Sequence, residues 1–251
     1  MLNLENIVFF GSNNLAKKCL INLHKNFHKS KIYVVTKKNY NKDNPNVFKY
    51  ASKNKLDIIT LGQICRSKKE FSVGFSIRYH KILNKKIIDK FKYGIVNLHG
   101  GPLPHYRGNA NHVFAILNNE KKFGVTLHYI NEGIDSGNII SKKMFKINKR
   151  DTGYTLFNKV NIYGYELVNR FIKNLKKNKL IKGFPQNLSL GKNYKINDLK
   201  KMQNVNSKEI LNKKLIYKKL RAFYHPYKNS IFLKIKNKKI HLKLPKNQYG
   251  L

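Results

Sequence analysis

The chain has 251 residues, enough for one large domain with a small appendage and a sizeable hydrophobic core. No apolar run approaches the roughly 18 to 20 residues that span a bilayer, and the N-terminus lacks the basic flank and cleavage site of a signal peptide. The two cysteines, Cys19 and Cys65, suit a reducing compartment, so we expect a cytoplasmic protein.

The formal net charge is +40, from 52 Lys and Arg against 12 Asp and Glu. Two interpretations stay open. The charge can attract a polyanion such as a nucleic acid or a phosphorylated substrate, or it can reflect the lysine, asparagine and isoleucine bias of an AT-rich genome. The lysines are spread along the chain, and arginine, the better reader of phosphates, is scarce. The charge alone therefore identifies no partner.

The first half of the chain alternates β-rich runs with segments of helical spacing, of which Asn14–His24 and Asn84–Phe91 are the clearest. This alternation predicts βαβ units and a mostly parallel sheet with helices on both faces. The predicted strands are Asn6–Phe10, Lys31–Val35, Leu56–Thr60, Phe71–Phe75 and Gly94–Asn97.

The next segment predicts a helix over Asn109–Leu117 and two strands, Gly124–Ile130 and Asn138–Phe145. A long helix then follows over residues 152–176, with Asp151 as its expected N-cap.

The rest of the chain predicts a small appendage. Lys182–Asp198 has the glycine, proline and asparagine content of a linker, and Ser207–Phe223 predicts a basic helix. A hairpin is expected from Ser230–Ile235 and Lys239–Leu244, around a Lys-Asn-Lys-Lys turn.

The segment 95–140 carries the polar residues of greatest chemical interest. Asn97 and His99 end an apolar run beside a Gly- and Pro-rich loop, and Asp135 follows in a glycine-flanked turn. An amide, an imidazole and a carboxylate at strand ends are the minimum needed for acyl transfer. Each has a simpler role in isolation: Asn97 as a turn former, His99 as a solvated side chain, Asp135 as an Asx-turn residue. A zinc site from His99, His105 and His112 is not supported by their spacing, so we expect no metal.

Four motifs appear in order: N-x-H, L-P-x-Y-R-G, G-V-T-L-H and G-I-D-S-G. Together they resemble the formyltransferase family that uses 10-formyltetrahydrofolate, over roughly residues 5–180. The resemblance implies an α/β fold: a Rossmann-like catalytic domain with a mostly parallel sheet at 1–181, a linker at 182–206 and a short C-terminal α+β subdomain at 207–251. It implies no nicotinamide, and Gly11 in the GSNN segment is interpreted as a simple tight turn.

The resemblance also implies three catalytic roles. Asn97 would donate its amide N–H to the oxygen that becomes negative in a tetrahedral intermediate. His99, two residues further on the same strand face, would shuttle the proton from the attacking amine to the departing folate nitrogen. Asp135 would pair with His99 and orient its ring.

The residues of the donor site are likewise implied by the resemblance. The loop 76–83 would cradle the pteridine with Lys81, Ile82 and Leu83, although Ile82 and Leu83 could instead be ordinary core residues. The turn formed by Asn131, Glu132, Gly133, Ile134 and Asp135 would close the other side of the ring.

For the acceptor, the core of the tail at 216–242, IYKKLRAFYHPYKNSIFLKIKNKKIHL, resembles the short tail of nucleotide-sugar N-formyltransferases, in which the motif R-A-x-x-x-P-x (here 221–227) helps shape the sugar-nucleotide pocket. This resemblance implies an amino-deoxysugar linked to a nucleotide. Arg107, Asn109 and Tyr224 are the expected substrate contacts, but some relatives carry an arginine where this chain has Asn109. Methionyl-tRNA formyltransferase with a reduced tail, and so tRNA as partner, is the second interpretation; a non-catalytic nucleic-acid-binding module is the third. A membrane partner is not expected, and a homodimer is allowed.

Overall fold

The computed structural model describes residues 2–37, 47–226 and 230–244. The predicted tail motif continues into residues 227–229, and the predicted C-terminal subdomain runs to residue 251; residues 227–229 and 245–251 lie outside the described part. No helix in the described ranges is long and apolar enough to cross a membrane.

A seven-stranded sheet forms the centre of the molecule. Its order is β3-β2-β1-β4-β5-β7-β8, where the first five strands are parallel and the last two antiparallel. The expected Rossmann-like, mostly parallel α/β sheet is therefore confirmed. Its seven strands are β1 Asn6–Gly11, β2 Lys31–Val35, β3 Asp57–Ile58, β4 Val73–Ile77, β5 Ile95–His99, β7 Lys122–Tyr129 and β8 Ile139–Lys146. The short strand β6 Tyr106–Gly108 lies outside this sheet.

Helices cover both faces of this sheet, because the side chains of β1 are buried on both of them. Ile7 and Phe9 pack into one core cluster and Val8 and Phe10 into the other, because successive side chains of a strand point to opposite faces. The helices are α1 Asn14–Asn26, α2 Val47–Lys53, α3 Leu61–Arg66, α4 Lys85–Ile88, α5 Asn111–Leu117 and α6 Gly153–Lys176.

Helix α6 begins one residue later than expected. Its N-cap is Thr152, which forms a reciprocal capping box with Thr155, so the prediction of Asp151 as N-cap was wrong. Asp151 instead accepts hydrogen bonds from the Thr155 hydroxyl at 3.1 Å and from Lys159 Nζ at 2.6 Å. Asp151 therefore stabilises the first turn of α6 without being its N-cap.

Gly11 is the last residue of β1 and lies close to α1 and β4. A Cβ at this position would lie 2.7 Å from both the Ala16 Cβ and the Ile77 carbonyl oxygen. Close approach of β1 to α1 and β4, and not a turn, therefore excludes a side chain here, which corrects the tight-turn interpretation.

The segment predicted as a linker packs against the α/β domain and pairs with two of its strands. Phe184 exchanges main-chain hydrogen bonds with Ile139 at the start of β8. The short strand β9, Lys192–Tyr194, pairs in parallel with β6. A 3-10 turn, Leu188–Leu190, lies between these two contacts.

The tail continues as a small α+β unit. The predicted helix over residues 207–223 is two helices, because Asn212 is extended and caps the second of them. The predicted hairpin forms with a two-residue turn and gains a third strand in parallel. The elements are α7 Ile196–Gln203, β10 Asn204–Val205, α8 Ser207–Leu211, α9 Lys213–Phe223, β11 Ile231–Ile235 and β12 Lys238–Leu242.

Candidate active site

A cavity of about 600 Å³ opens at the carboxyl ends of β1, β4 and β5. The strand order reverses direction between β1 and β4, and in open α/β sheets ligands bind at such a switch point. The cavity is lined by residues from the ends of these strands, from β7, and from the loops that follow β4, β6 and β7. The site is therefore where the topology of the sheet predicts it.

Asn97 and His128 lie directly opposite each other on the antiparallel strands β5 and β7. The Asn97 Nδ2 is 3.0 Å from the His128 Nε2, and the His128 Nδ1 is 2.7 Å from the main-chain oxygen of Tyr129. Because a carbonyl oxygen only accepts, the His128 Nδ1 carries the proton and its Nε2 accepts from Asn97. This contact fixes the amide so that its second N–H remains available to a ligand.

His99 ends β5 and is buried, with 6% of its surface exposed. Its Nδ1 lies 3.3 Å from the Asp135 Oδ2, and its Nε2 contacts the main-chain oxygen of Tyr106. The Asn111 side chain donates to that same oxygen at 3.0 Å and to the Gly108 oxygen at 3.2 Å. The ring is thus held at both nitrogens, one of them beside a carboxylate.

Asp135 faces polar groups from three different elements. Its Oδ2 accepts from the Gly108 N–H at 2.9 Å, and its two oxygens face His99 and His128. Burial alone would raise the pKa of this carboxyl, but the His128 and His99 imidazoles that face it and the Gly108 N–H hold its pKa well below the usual range. Asp135 is therefore ionised at neutral pH and can stabilise a charged imidazole.

The backbone of Asp135 is in the left-handed region, with φ at 50°. Aspartate tolerates this conformation better than most residues, and the flanking segments hold it in place. The Gln186 Nε2 donates to the main-chain oxygens of Asp135, at 3.0 Å, and of Gly137, at 2.6 Å.

The residues predicted to hold the donor lie on two loops of the same cavity. Ile82 and Ile134 are 79% and 50% exposed although they are large and apolar, and Lys81, Asn131 and Gly133 line the cavity with them. Leu83 also lines it but is 3% exposed and packs into the second core cluster. Glu132 is exposed and is not among the lining residues.

The structure places one of the three predicted substrate contacts in the lining of the cavity. Asn109 lines the cavity, whereas Arg107 and Tyr224 are not among the lining residues. Arg107 donates toward the Gly191 oxygen at 3.4 Å, and Tyr224 follows α9. The His105 Nδ1 lies 2.8 Å from the main-chain oxygen of Leu190 in the connecting segment. The described residues contain no cluster of three metal-binding side chains.

Four further residues shape the site and were not singled out from the sequence: His128, Asn111, Gln186 and Arg78. A signal existed for His128, which lies on the alternating strand G-V-T-L-H-Y at the same parity as Thr126, beside the N-x-H strand. Arg78 lies within the loop 76–83 that the resemblance assigned to the donor, but nothing marked this residue individually. Gln186 gave no signal, because its contacts depend on how a distant segment folds back.

The fold and the site together define an α/β domain in which an amide donor and a carboxylate-paired histidine border one cavity. The formyl transferase family model matches residues 5–172, and the chain belongs to this family.

Solved structures similar to this chain include two sugar N-formyltransferases. One is the N-formyltransferase from Helicobacter canadensis in complex with folinic acid and dTDP-3-aminofucose: 30% identity, 94% of this chain and 86% of that chain covered, TM-score 0.77. The other is WlaRD, a sugar 3N-formyl transferase with dTDP and 5-N-formyl-THF: 29% identity, 95% and 85% covered, TM-score 0.77.

Among the curated relatives is the methionyl-tRNA formyltransferase of Thermodesulfovibrio yellowstonii, 42% identical over 40% of this chain and 33% of that protein. Another is the bifunctional polymyxin resistance protein ArnA of Wigglesworthia glossinidia brevipalpis, 36% identical over 69% of this chain and 22% of its own length. The chain spans a third or less of these two relatives.

Proposed function

We propose that this protein transfers a formyl group from 10-formyltetrahydrofolate to the amine of a nucleotide-linked amino-deoxysugar. The observation that carries this proposal is the likeness to the Helicobacter canadensis enzyme, which continues past the catalytic domain into the tail and covers 94% of the chain. The arrangement of Asn97, His99 and Asp135 around one cavity supports the chemistry.

The cavity suits a folate donor on its own residues. Ile82 and Ile134 present apolar side chains that the fold itself leaves exposed, on two loops that border one space. A flat bicyclic ring between them would bury this surface, at about 25 cal/mol per Å². Main-chain groups of the loops 79–83 and 130–135 would then meet the polar edge of the ring. When bound, the donor supplies the formyl carbon.

The reacting groups act from the inner end of the cavity. The free N–H of Asn97 would stabilise the formyl oxygen as negative charge develops on it, while His128 keeps the amide oriented. His99 would take the proton from the amine as the new C–N bond forms and return it to the folate nitrogen as the old bond breaks. The nearby Asp135 carboxylate would stabilise the imidazole while it is charged.

Initiator methionyl-tRNA is the second candidate acceptor. The net charge of +40 favours it, because a polyanion would gain from so many cations. Against it, the connecting segment and the tail pack on the α/β domain through the β6–β9 pair and the α6–α9 contacts, and the likeness to the Helicobacter canadensis sugar N-formyltransferase extends over 94% of the chain. We therefore rank the sugar nucleotide first.

A single assay separates the two acceptors. Purified protein is given 10-formyltetrahydrofolate with either a dTDP-linked amino-deoxysugar or charged initiator tRNA, and formylated products are detected by mass spectrometry. The same dTDP sugar with a hydroxyl in place of the amine is the matched control. We expect formamido sugar alone; formyl-methionyl-tRNA with no sugar product would overturn the assignment.

The remaining features of this proposal concern organisation. The catalytic domain is proposed at 1–181, the connecting segment at 182–206 and the substrate-shaping subdomain at 207–251. A cytoplasmic location matches the intracellular supply of folates and sugar nucleotides. Light scattering on the purified protein would distinguish a monomer from the homodimer that we allow.

A further inference from the structure

Arg78 immediately follows β4 and lines the cavity. Its backbone lies in the left-handed region, with φ at 55°, a conformation that favours glycine and strains a residue with a side chain. A strained position that carries a long cationic side chain indicates that the side chain itself is needed.

Two neutral groups of α6 hold the Arg78 guanidinium in place. Its Nη2 donates to the Asn161 Oδ1 at 2.9 Å, and its central carbon lies 4.9 Å from the centroid of the Phe157 ring. An amide and an aromatic face orient the guanidinium without neutralising its charge. These contacts fix the orientation of the Arg78 guanidinium and leave its positive charge unpaired by any carboxylate of α6.

The charge of Arg78 has no counter-ion in the described part of the chain. Burial lowers the pKa of its guanidinium to about 10, with no contribution from a carboxylate, so it remains protonated at neutral pH. Its Nε is buried without a hydrogen-bond acceptor among the described residues. A partly buried cation without a counter-ion gains from pairing with an anion.

The charges of the residues that line the cavity also favour an anionic ligand. Lys37 and Lys81 line the cavity together with Arg78, and the one carboxylate among the described lining residues is Asp135. That carboxylate is already engaged by His99, His128 and the Gly108 N–H. The cavity therefore has an excess of positive charge that an anionic ligand would neutralise.

We propose that Arg78 binds the diphosphate of the nucleotide-linked acceptor. This inference rests on the proposed function and adds a recognition residue to it. The Arg78 Nη1 would lie 3.4 Å from a Cβ placed on Gly100, the residue after His99, so the cation is adjacent to the reacting histidine. Its flat fork of donors matches two phosphate oxygens.

A second source of the same chemistry is the glutamate carboxylate of the folate donor. Arg78 belongs to the same loop after β4 as the proposed ring-binding residue Ile82, but its guanidinium contacts Asn161 and Phe157 of α6. The anchoring on α6, on which α9 of the tail also packs, favours the acceptor.

The test compares R78Q with two further variants. R66Q removes an exposed arginine at the end of α3, outside the cavity, and so matches the change in net charge. R78K keeps a positive charge but loses the fork. Dissociation constants for dTDP are measured by calorimetry, and KM values for the dTDP amino sugar and for the donor by steady-state kinetics.

We expect R78Q to weaken dTDP binding and raise the acceptor KM by about 10- to 100-fold, the range for lost hydrogen bonds to a charged group. R78K should fall between R78Q and the unchanged protein, and R66Q and every donor KM should stay within about twofold of the unchanged protein. Thermal unfolding shows whether R78Q is folded; if it is not, R78K alone decides the question.

Two outcomes overturn the proposal while leaving the function intact. One is unchanged dTDP binding in folded R78Q, or in R78K if R78Q does not fold. The other is a raised donor KM that disappears with a pteroate donor lacking glutamate, which would assign Arg78 to the donor. If the unchanged protein neither binds dTDP nor formylates an amino sugar, the proposed acceptor itself is wrong, and Arg78 loses its diphosphate role with it.

Discussion

The side-chain amide of Gln186 donates to the main-chain oxygen of Asp135 at 3.0 Å, and the same nitrogen reaches the Gly137 oxygen at 2.6 Å. A residue from the connecting segment thus holds the turn that presents Asp135, the carboxylate that we propose to be catalytic. The turn is left-handed at Asp135, so it depends on such outside support. Gln186 is a positioning residue that touches no reacting atom.

Removal of this amide should lower kcat by about tenfold, because each lost hydrogen bond of this kind is worth about 0.5–1.5 kcal/mol. Q186M fills the same space without a donor, and Q186E keeps the shape but faces two carbonyl oxygens with a carboxylate. We expect both to lower kcat more than they change the acceptor KM. Loss of thermal stability with kcat unchanged would mean that Gln186 is only structural.

Replacement of His99 by alanine should reduce kcat about 10²- to 10⁴-fold, the usual effect of losing a general acid–base group. H105A is the matched control, because His105 is exposed and its ring contacts the Leu190 oxygen in the tail. Single-turnover formylation is the measurement. Turnover of H99A close to that of H105A would exclude the proton-shuttle role.

The pairing of Asn97 with His128 predicts non-additive effects. N97A should cost about 10²- to 10³-fold in kcat, the value of one oxyanion donor. H128F should also lower kcat, because the amide of Asn97 loses the acceptor that orients it. In the double variant the loss should be close to that of N97A alone. Fully additive losses would show that the two residues act independently.

Asp135 gives a prediction on stability against pH. Its pKa is depressed in the folded protein, so the carboxylate contributes stability above its unfolded pKa of about 4, and that contribution is lost as the pH falls toward the folded value. The unfolding free energy of the unchanged protein should exceed that of D135N at pH 6, and the difference should shrink below about pH 4. Urea unfolding across this range is the measurement; a constant difference would contradict the pairing.

Gly153 tests how the tail is attached to α6. A Cβ there would lie 2.1 Å from the Ala222 main-chain oxygen at the end of α9, too close for any side chain. G153A should therefore destabilise the protein by about 1–3 kcal/mol and expose the tail to proteases. In G62A the new Cβ meets nothing closer than 3.4 Å, from a flexible arginine tip, so its melting temperature should stay the same or rise. Equal melting temperatures for G153A and the unchanged protein would rule out tight docking.

The α/β part of the fold was predictable because its central strands β1, β2, β4 and β5 are largely buried on both faces and form apolar runs between helical segments. The strand from Lys31 to Val35 was predicted to the residue. The tail was predicted less well: its exposed helices have weak patterns, and only the Asn212 cap separates α8 from α9. Short strands such as β9 exist because of tertiary pairing, which local sequence does not encode.

The grouping of Asn97, His99 and Asp135 around one cavity was predictable for a different reason. Asn97 and His99 are the polar residues at the end of an otherwise apolar strand, and Asp135 lies in a glycine-flanked turn. His128, Asn111 and Gln186 support them through contacts between separate elements, 31, 12 and 51 residues apart in sequence. Contacts at such separations follow from strand register and chain return, which no local pattern specifies.

The contact between β6 and β9 limits how this enzyme can be re-engineered. Gly191 lies so close to the loop after β5 that a Cβ on it would be 1.8 Å from the Pro104 oxygen, and Tyr194 stacks on Tyr106, whose own main-chain oxygen holds His99. A specificity swap that exchanged tails between family members at residue 181 would thus replace the support of its own catalytic histidine. Recombination boundaries for chimaeric formyltransferases of this type are better placed after Tyr194 than at the start of the connecting segment.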